Sequence, residues 1–303
     1  MAKPFNKTFF TPRQHIVLLK SRGLHIVKEE KAEEYLATIG YFRLSAYFFP
    51  LLQLPKTDHK YKPGASFQNA MDMYRFDRKL RLILLNEIEK IEVAARARIA
   101  NGVSEATGNL SWMCESSLFA NSNRFNASLS VIDTELHKSK EDFILHFRQA
   151  YTDKYPPVWM IAEIIPLGTL THLYANLKSN ALRKSIANEF GLNHNVLVSW
   201  LTVLYGLRNM CCHHSRTWNR ELSIITTEPK KTKYRWIDAG TTDKRRLYYR
   251  ICMIRYLLFS ISPRNSFKER LMDLFNILQW IRRAWDSRKI GNRMIFGNRR
   301  CIS

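Results

Sequence analysis

The chain has 303 residues, and its 48 Lys plus Arg against 26 Asp plus Glu give a formal charge of +22 and a pI near 10.0. That length suffices for one large helical domain or two modest ones with a sizeable core. The charge favours a polyanionic partner, nucleic acid before an anionic membrane, because each phosphate neutralised releases condensed counterions. A membrane span is excluded, since the longest apolar run, Val158 to Leu173, is interrupted by Glu163, Pro166 and Gly168, and Tyr256 to Ile261 is far too short. Five cysteines (Cys114, Cys211, Cys212, Cys252 and Cys301) show no framework spacing. With an N-terminus that lacks the apolar core of a signal peptide, they place the chain in a reducing, cytoplasmic setting.

Helix signals dominate in chain order. Thr11-Pro12 starts the first helix and Gly23 stops it; a second runs from near Glu30 to Gly40. Tyr41 to Leu52 is an aromatic-rich segment, followed by a loop from Pro55 to Gly64. From about Phe67 to Ala100 neither proline nor glycine occurs, and Leu80, Leu84, Ile88, Ile91, Ala95 and Ile99 recur at steps of three or four, which predicts a long helix. Residues 102 to 125 are polar and irregular. A helix is expected from about Ser128 to Asp153, ended by Tyr155-Pro156-Pro157 before a buried segment bent at Pro166. Further helices are predicted at about Ala181 to Phe190 and Asn195 to His214. The basic, turn-rich stretch from Thr226 to Asp243 has room for a short hairpin, and helices resume at about Lys244 to Ser260 and Phe267 to Ala284. No strand alternation is sustained, so the class is all-α, a bundle with an N-terminal helical extension.

The string Leu207-Arg-Asn-Met-Cys-Cys-His-His-Ser-Arg-Thr-Trp-Asn-Arg220 carries the chemistry. Consecutive Cys-Cys-His-His resembles a metal cluster only on paper. Each helical residue advances about 100°, so four successive side chains fan around the axis, whereas zinc ligands are spaced. Cys211 falls on the apolar stripe of Leu197, Trp200, Leu204 and Leu207, as a small buried hydrophobe does. Asn209 and His213 stack four apart, where the amide can fix the imidazole tautomer. Arg208 and His213 are five apart and point about 140° from one another. They meet only if Arg208 bends over or if two copies of the helix face each other. A guanidinium and an imidazole suit phosphate chemistry on RNA, with charge stabilisation from one and proton transfer by the other. The plain alternative is that both serve salt bridges or helix termination.

Several ordered blocks carry a family likeness: Lys20-Ser-Arg-Gly-Leu24, Ala32-Glu-Glu-Tyr-Leu36, Ile39-Gly-Tyr-Phe-Arg-Leu-Ser-Ala-Tyr47, Tyr74-Arg-Phe-Asp-Arg-Lys-Leu-Arg81, Glu87-Ile-Glu-Lys-Ile-Glu-Val93, Pro157-Val-Trp-Met160 and Leu207 to Arg220. In these the chain resembles the Abi-like abortive-infection proteins of bacterial phage defence, of AbiD and AbiF type; residues after about 225 carry little of the likeness. The resemblance implies a HEPN-like helical bundle and the Arg-x4–6-His motif of HEPN ribonucleases, which cleave RNA without metal or other cofactor at a dimer-completed site and leave a 2′,3′-cyclic phosphate. Carried over, Arg208 is the motif arginine, Asn209 the polar residue after it and His213 the motif histidine, with His214 also within the permitted spacing. It implies a homodimer, and a cognate structured non-coding RNA as controlling partner.

The expected organisation is an N-terminal helical region (1–60), a HEPN-like core (61–225) and a basic C-terminal helical region (226–303). Arg96-Ala-Arg-Ile-Ala-Asn101 has Asn101 where a second motif needs histidine. Arg96 and Arg98 are therefore read as RNA contacts or, for the Glu92 to Arg96 pair, as a solvated helix-face interaction. Arg43 within the aromatic segment, Arg216 and Arg220 after the motif, and Arg282 and Arg283 near the basic tail complete the candidate RNA contacts; the aromatics themselves are read first as core. The rival to a nuclease is a non-catalytic RNA-binding scaffold that sequesters RNA or a phage component.

Overall fold

A computed structural model of the chain describes Pro4, Asn6 and residues 8–237 and 242–277. Twelve α-helices are present among these, with isolated bridges but no strand, so the chain is all-α. It divides into two units, one holding residues up to Leu80 with the end of the last helix from Leu274, the other Arg81–Asp273.

The first unit is built from α1 (Pro12–Ser21), α2 (Glu29–Ile39), α3 (Tyr41–Phe48) and the start of α4 (Phe67–Thr107). Thr11 caps α1 as expected. Its hydroxyl accepts from the Gln14 amide and the Gln14 side chain returns the bond, with Pro12 at the first helical position. Gly40, at φ +88°, takes a backbone conformation that lets α3 follow α2 at once. The aromatic segment divides by face: Leu44, Tyr47 and Phe48 are buried, while Phe42 is 93% exposed. Tyr47 donates from its hydroxyl to Asp77 at 2.6 Å inside this unit.

The second unit contains the rest of α4, then α5 (Ser122–Lys138), α6 (Asp142–Ala150), α7 (Val158–Ile164), α8 (Leu167–Asn176), α9 (Asn180–Glu189), α10 (His194–Cys212), α11 (Leu247–Ile261) and the start of α12 (Phe267–Ile277). Helix α10 lies against α8, α9 and α11, and α5 against α7 and α8. Helix α4 runs seven residues past Ala100. Val103 continues the stripe of Leu84, Ile88, Ile91, Ala95 and Ile99 and is fully buried. Gly102 marks a close approach rather than a stop, since a Cβ there would come within 3.0 Å of Ile186 on α9. Gly108, at φ +66°, follows the helix end.

The single helix expected over 128–153 is two. Continuing the stripe of Ile132 and Leu136 by four would bury Lys140; instead the chain opens at Ser139, whose hydroxyl accepts from the Glu141 amide, and α6 restarts to bury Ile144 and Phe147. The break at Pro166 falls as expected between α7 and α8. No strand forms among the described residues of 226–243, so the hairpin anticipated there is not supported.

Candidate active site

Helix α10 positions the Arg-Asn-His-His string. Leu197, Trp200, Leu201, Leu204, Leu207 and Cys211 form one buried stripe, which rotates Arg208 and Asn209 to a part-exposed face. Cys211 is thus the small buried hydrophobe its register indicated, while Cys212 is exposed. Among the described residues no three His, Cys, Asp or Glu side chains are grouped to hold a metal ion.

The helix closes with a Schellman cap. The Ser215 amide donates to Met210 O at 2.9 Å and the His214 amide to Cys211 O at 3.1 Å, with His214 left-handed at φ +55°. The two histidines, His213 the first choice for the motif and His214 the second, differ in their backbone. His213 ends the helix in near-helical geometry with its ring exposed; His214 occupies the turn position that glycine usually fills. Beyond the cap, buried Arg81 donates to Ser215 O at 3.4 Å, and Thr217 and Trp218 are buried. The strand of chain then returns along α10 until the Thr227 amide reaches Ser199 Oγ and the Trp200 indole reaches Thr227 O.

Arg208 is 41% exposed, and its Nε stands 3.7 Å from Glu92 Oε2 on α4. Its Nη1 donates to Asn209 Oδ1 at 3.3 Å. Asn209 therefore serves the arginine, not the imidazole as its i,i+4 spacing from His213 suggested. Among the described residues no hydrogen bond is found for the His213 ring, to Arg208 or to any other group.

Glu92 is shared. Arg96 Nη2 lies 2.6 Å from Glu92 Oε1, and both side chains are only 13% exposed, so this pair is largely buried and not the solvated pair its i,i+4 spacing suggested. Arg96 also donates to Ala162 O and, at 2.7 Å, to Ile165 O, which meets the carbonyls left open where α7 ends. Two guanidiniums thus share one carboxylate, leaving the group one positive charge in surplus beside the exposed edge of Arg208.

Arg98 is likewise turned inward. It donates to Glu189 O at 2.9 Å and Ser260 O at 2.7 Å, and stacks over Phe190, fastening α4 to the ends of α9 and α11. Arg96 and Arg98 spend donors on the protein itself. Arg43 is exposed on α3, Arg216 is part-exposed and Arg220 is exposed beyond the cap. Arg282 and Arg283 lie outside the described residues. Arg81 was not singled out from the sequence and Glu92 only as the partner of Arg96, not of Arg208, although both sit in blocks that carry the family likeness.

A family model described as Abi-like protein matches residues 34–219, a span that includes Glu92, Arg208 and His213. No curated protein and no solved structure matches the chain.

Proposed function

The chain belongs to the Abi-like protein family, which ties it to abortive infection in phage defence, and from that premise we propose that it is a HEPN-type, metal-independent endoribonuclease. In this reading the 2′-hydroxyl of RNA attacks the neighbouring phosphorus, a 2′,3′-cyclic phosphate forms and the 5′-oxygen leaves. Arg208 stabilises the charge that builds on the phosphate oxygens. His213 moves a proton at the 2′ or the 5′ oxygen. One imidazole serves one side of the phosphorus, so a second copy of the chain, contributing its own end of α10, completes the reaction. A structured non-coding RNA held by the basic surface restrains the enzyme until infection.

The observation that carries this reading is Arg208 itself: oriented by Glu92 and Asn209, yet 41% exposed, and within two turns of an exposed imidazole at the helix end. A purely structural arginine in such a position would be expected to spend its donors inward, as Arg96 does. The test is the Arg208→Ala, His213→Ala double variant in an RNA cleavage assay and a growth assay. Loss of cleavage by at least about 10³-fold, with RNA affinity largely kept and a chelator without effect, is expected. Undiminished toxicity in a folded double variant would leave the non-catalytic scaffold as the better reading.

A further inference from the structure

The segment from Thr226 to Ile237 lies beyond the residues that the family model matches, and it forms no strand. It is nevertheless fastened to the second unit at two places. At its start the Thr227 amide donates to Ser199 Oγ and the Trp200 indole donates to Thr227 O. Further on, the Lys233 amide donates to Gly191 O and to the Tyr256 hydroxyl oxygen, each at 3.2 Å, while that hydroxyl donates to Gly191 O at 2.6 Å. Trp236 packs among Trp200, Tyr249 and Tyr256 with ring centres 4.7 to 5.7 Å apart, and Tyr234 meets Tyr256 edge-on. Gly191, left-handed at φ +67°, permits the close approach, because a Cβ there would stand 2.8 Å from Lys233 Cβ.

These anchors sort the side chains of the segment. Pro229 and Ile237 are buried and Tyr234 and Trp236 half-buried, whereas Lys230, Lys231, Lys233 and Arg235 are exposed. Four cations thus stand within six consecutive positions, at most about 18 Å of chain, on a backbone that the fold holds in place. No carboxylate pairs with any of them among the described residues. Glu228, in the same segment, is taken by Lys244 at 2.5 Å, and Glu189, beside the Gly191 turn, by Arg98 at 3.6 Å. Like charges held this close repel one another, and a polyanion laid along them removes that repulsion while releasing its own counterions. The aromatic rings are spent on anchoring the segment, so its outer face offers cations for phosphates, no stacking platform for bases and no apolar side for a bilayer.

We propose that residues 230–235 are a sequence-independent contact for the sugar-phosphate backbone of RNA. The inference rests on RNA being the partner, as read above, but not on cleavage, and it shares no residue with Arg208, Asn209 or His213.

The experiment measures binding of a short 2′-O-methyl RNA, whose blocked 2′ oxygens prevent cleavage, to the full chain between 50 and 200 mM salt. Lys230→Gln with Lys231→Gln should flatten the dependence of log K on log salt by about 1.4, so that the loss across this range becomes about sevenfold smaller; adding Lys233→Gln and Arg235→Gln should double the change in slope. Lys138→Gln with Lys140→Gln, which removes the same charge from exposed positions at the end of α5, should leave the slope unchanged. The first pair carries the test if the fourfold variant fails to fold. A parental slope in the first pair, an equal change in the α5 pair, or no binding of the probe by the parent chain would overturn the proposal. So would a first pair that loses binding to phosphatidylserine vesicles while its RNA slope is untouched. A chain that binds the probe through this segment yet leaves ordinary RNA uncleaved would sink the nuclease reading alone, and a cleaving chain with unchanged slopes would sink this one alone.

Discussion

Glu92 is the residue on which the candidate site turns. Its two oxygens face Arg96 at 2.6 Å and Arg208 at 3.7 Å, the first a hydrogen-bonded pair, the second an ion pair too long for a hydrogen bond. Arg96 is anchored further by the carbonyls of Ala162 and Ile165, so the carboxylate is held from behind and Arg208 is set by it from the front. Under the proposed nuclease reading Glu92 is a positioning residue. Glu92→Gln should lower the cleavage rate by up to about 100-fold, the scale of a misplaced catalytic group. RNA affinity should stay near that of the parent, and the loss should fall on kcat more than on KM. A variant that folds and cleaves at the parental rate would show that Arg208 needs no such support.

Helix α10 joins the candidate site to the stability of the fold through its two ends. At the far end the Schellman cap fixes where the helix stops and which histidine remains in helical register. At the near end His194 is buried at the first helical position, with Asn193 capping. Burial, reinforced by Arg183 and Lys184, lowers the His194 pKa. The folded chain therefore takes up this proton less readily than the unfolded chain, and the stability so gained is present above about pH 6.5 and lost as the pH falls below it. Thermal midpoints should drop between pH 7 and pH 5. His194→Gln should shrink that drop; since burial also lowers the His15 pKa, some of it will persist. An equal drop in the variant would remove His194 as the cause. The other helices show how context overrides local signals. Glycine at 102 and the polar run that follows read as an end, yet α4 continues because Val103 has a buried place to fill and α9 approaches at Gly102.

The whole molecule is dominated by its +22 charge. Several of its arginines are internal fasteners: Arg81, Arg96, Arg98 and Arg250 all donate to backbone carbonyls of the second unit. No helix among the described residues is long and apolar enough to cross a membrane. The proposed RNA partner should bind with steep salt dependence, about −0.7 in log K per phosphate on a single strand. A footprint of roughly six phosphates would lose about 300-fold between 50 and 200 mM salt. Filter binding across that range checks it. Replacing an internal fastener such as Arg98 should lower stability while leaving the slope almost unchanged; a flat salt response would count against a polyanionic partner altogether.

The all-α class, the long α4, the capping of α1, the break at Pro166 and the burial of Cys211 were legible in sequence, because each rests on local propensity or on the 3.6-residue period, which neighbouring residues alone define. The candidate motif residues were named from spacing and family likeness. Their partners were not. Glu92 with Arg208, Arg96 with the end of α7, Arg98 with α9 and α11, and Arg250 with Ile224 O join residues 26 to 162 positions apart. Such pairings follow from how helices settle against one another, a property of the assembled core that no local window contains. The sequence determined which side chains were present for the proposed phosphate chemistry, and the tertiary structure decided which arginine faces solvent and which are spent holding the helices together.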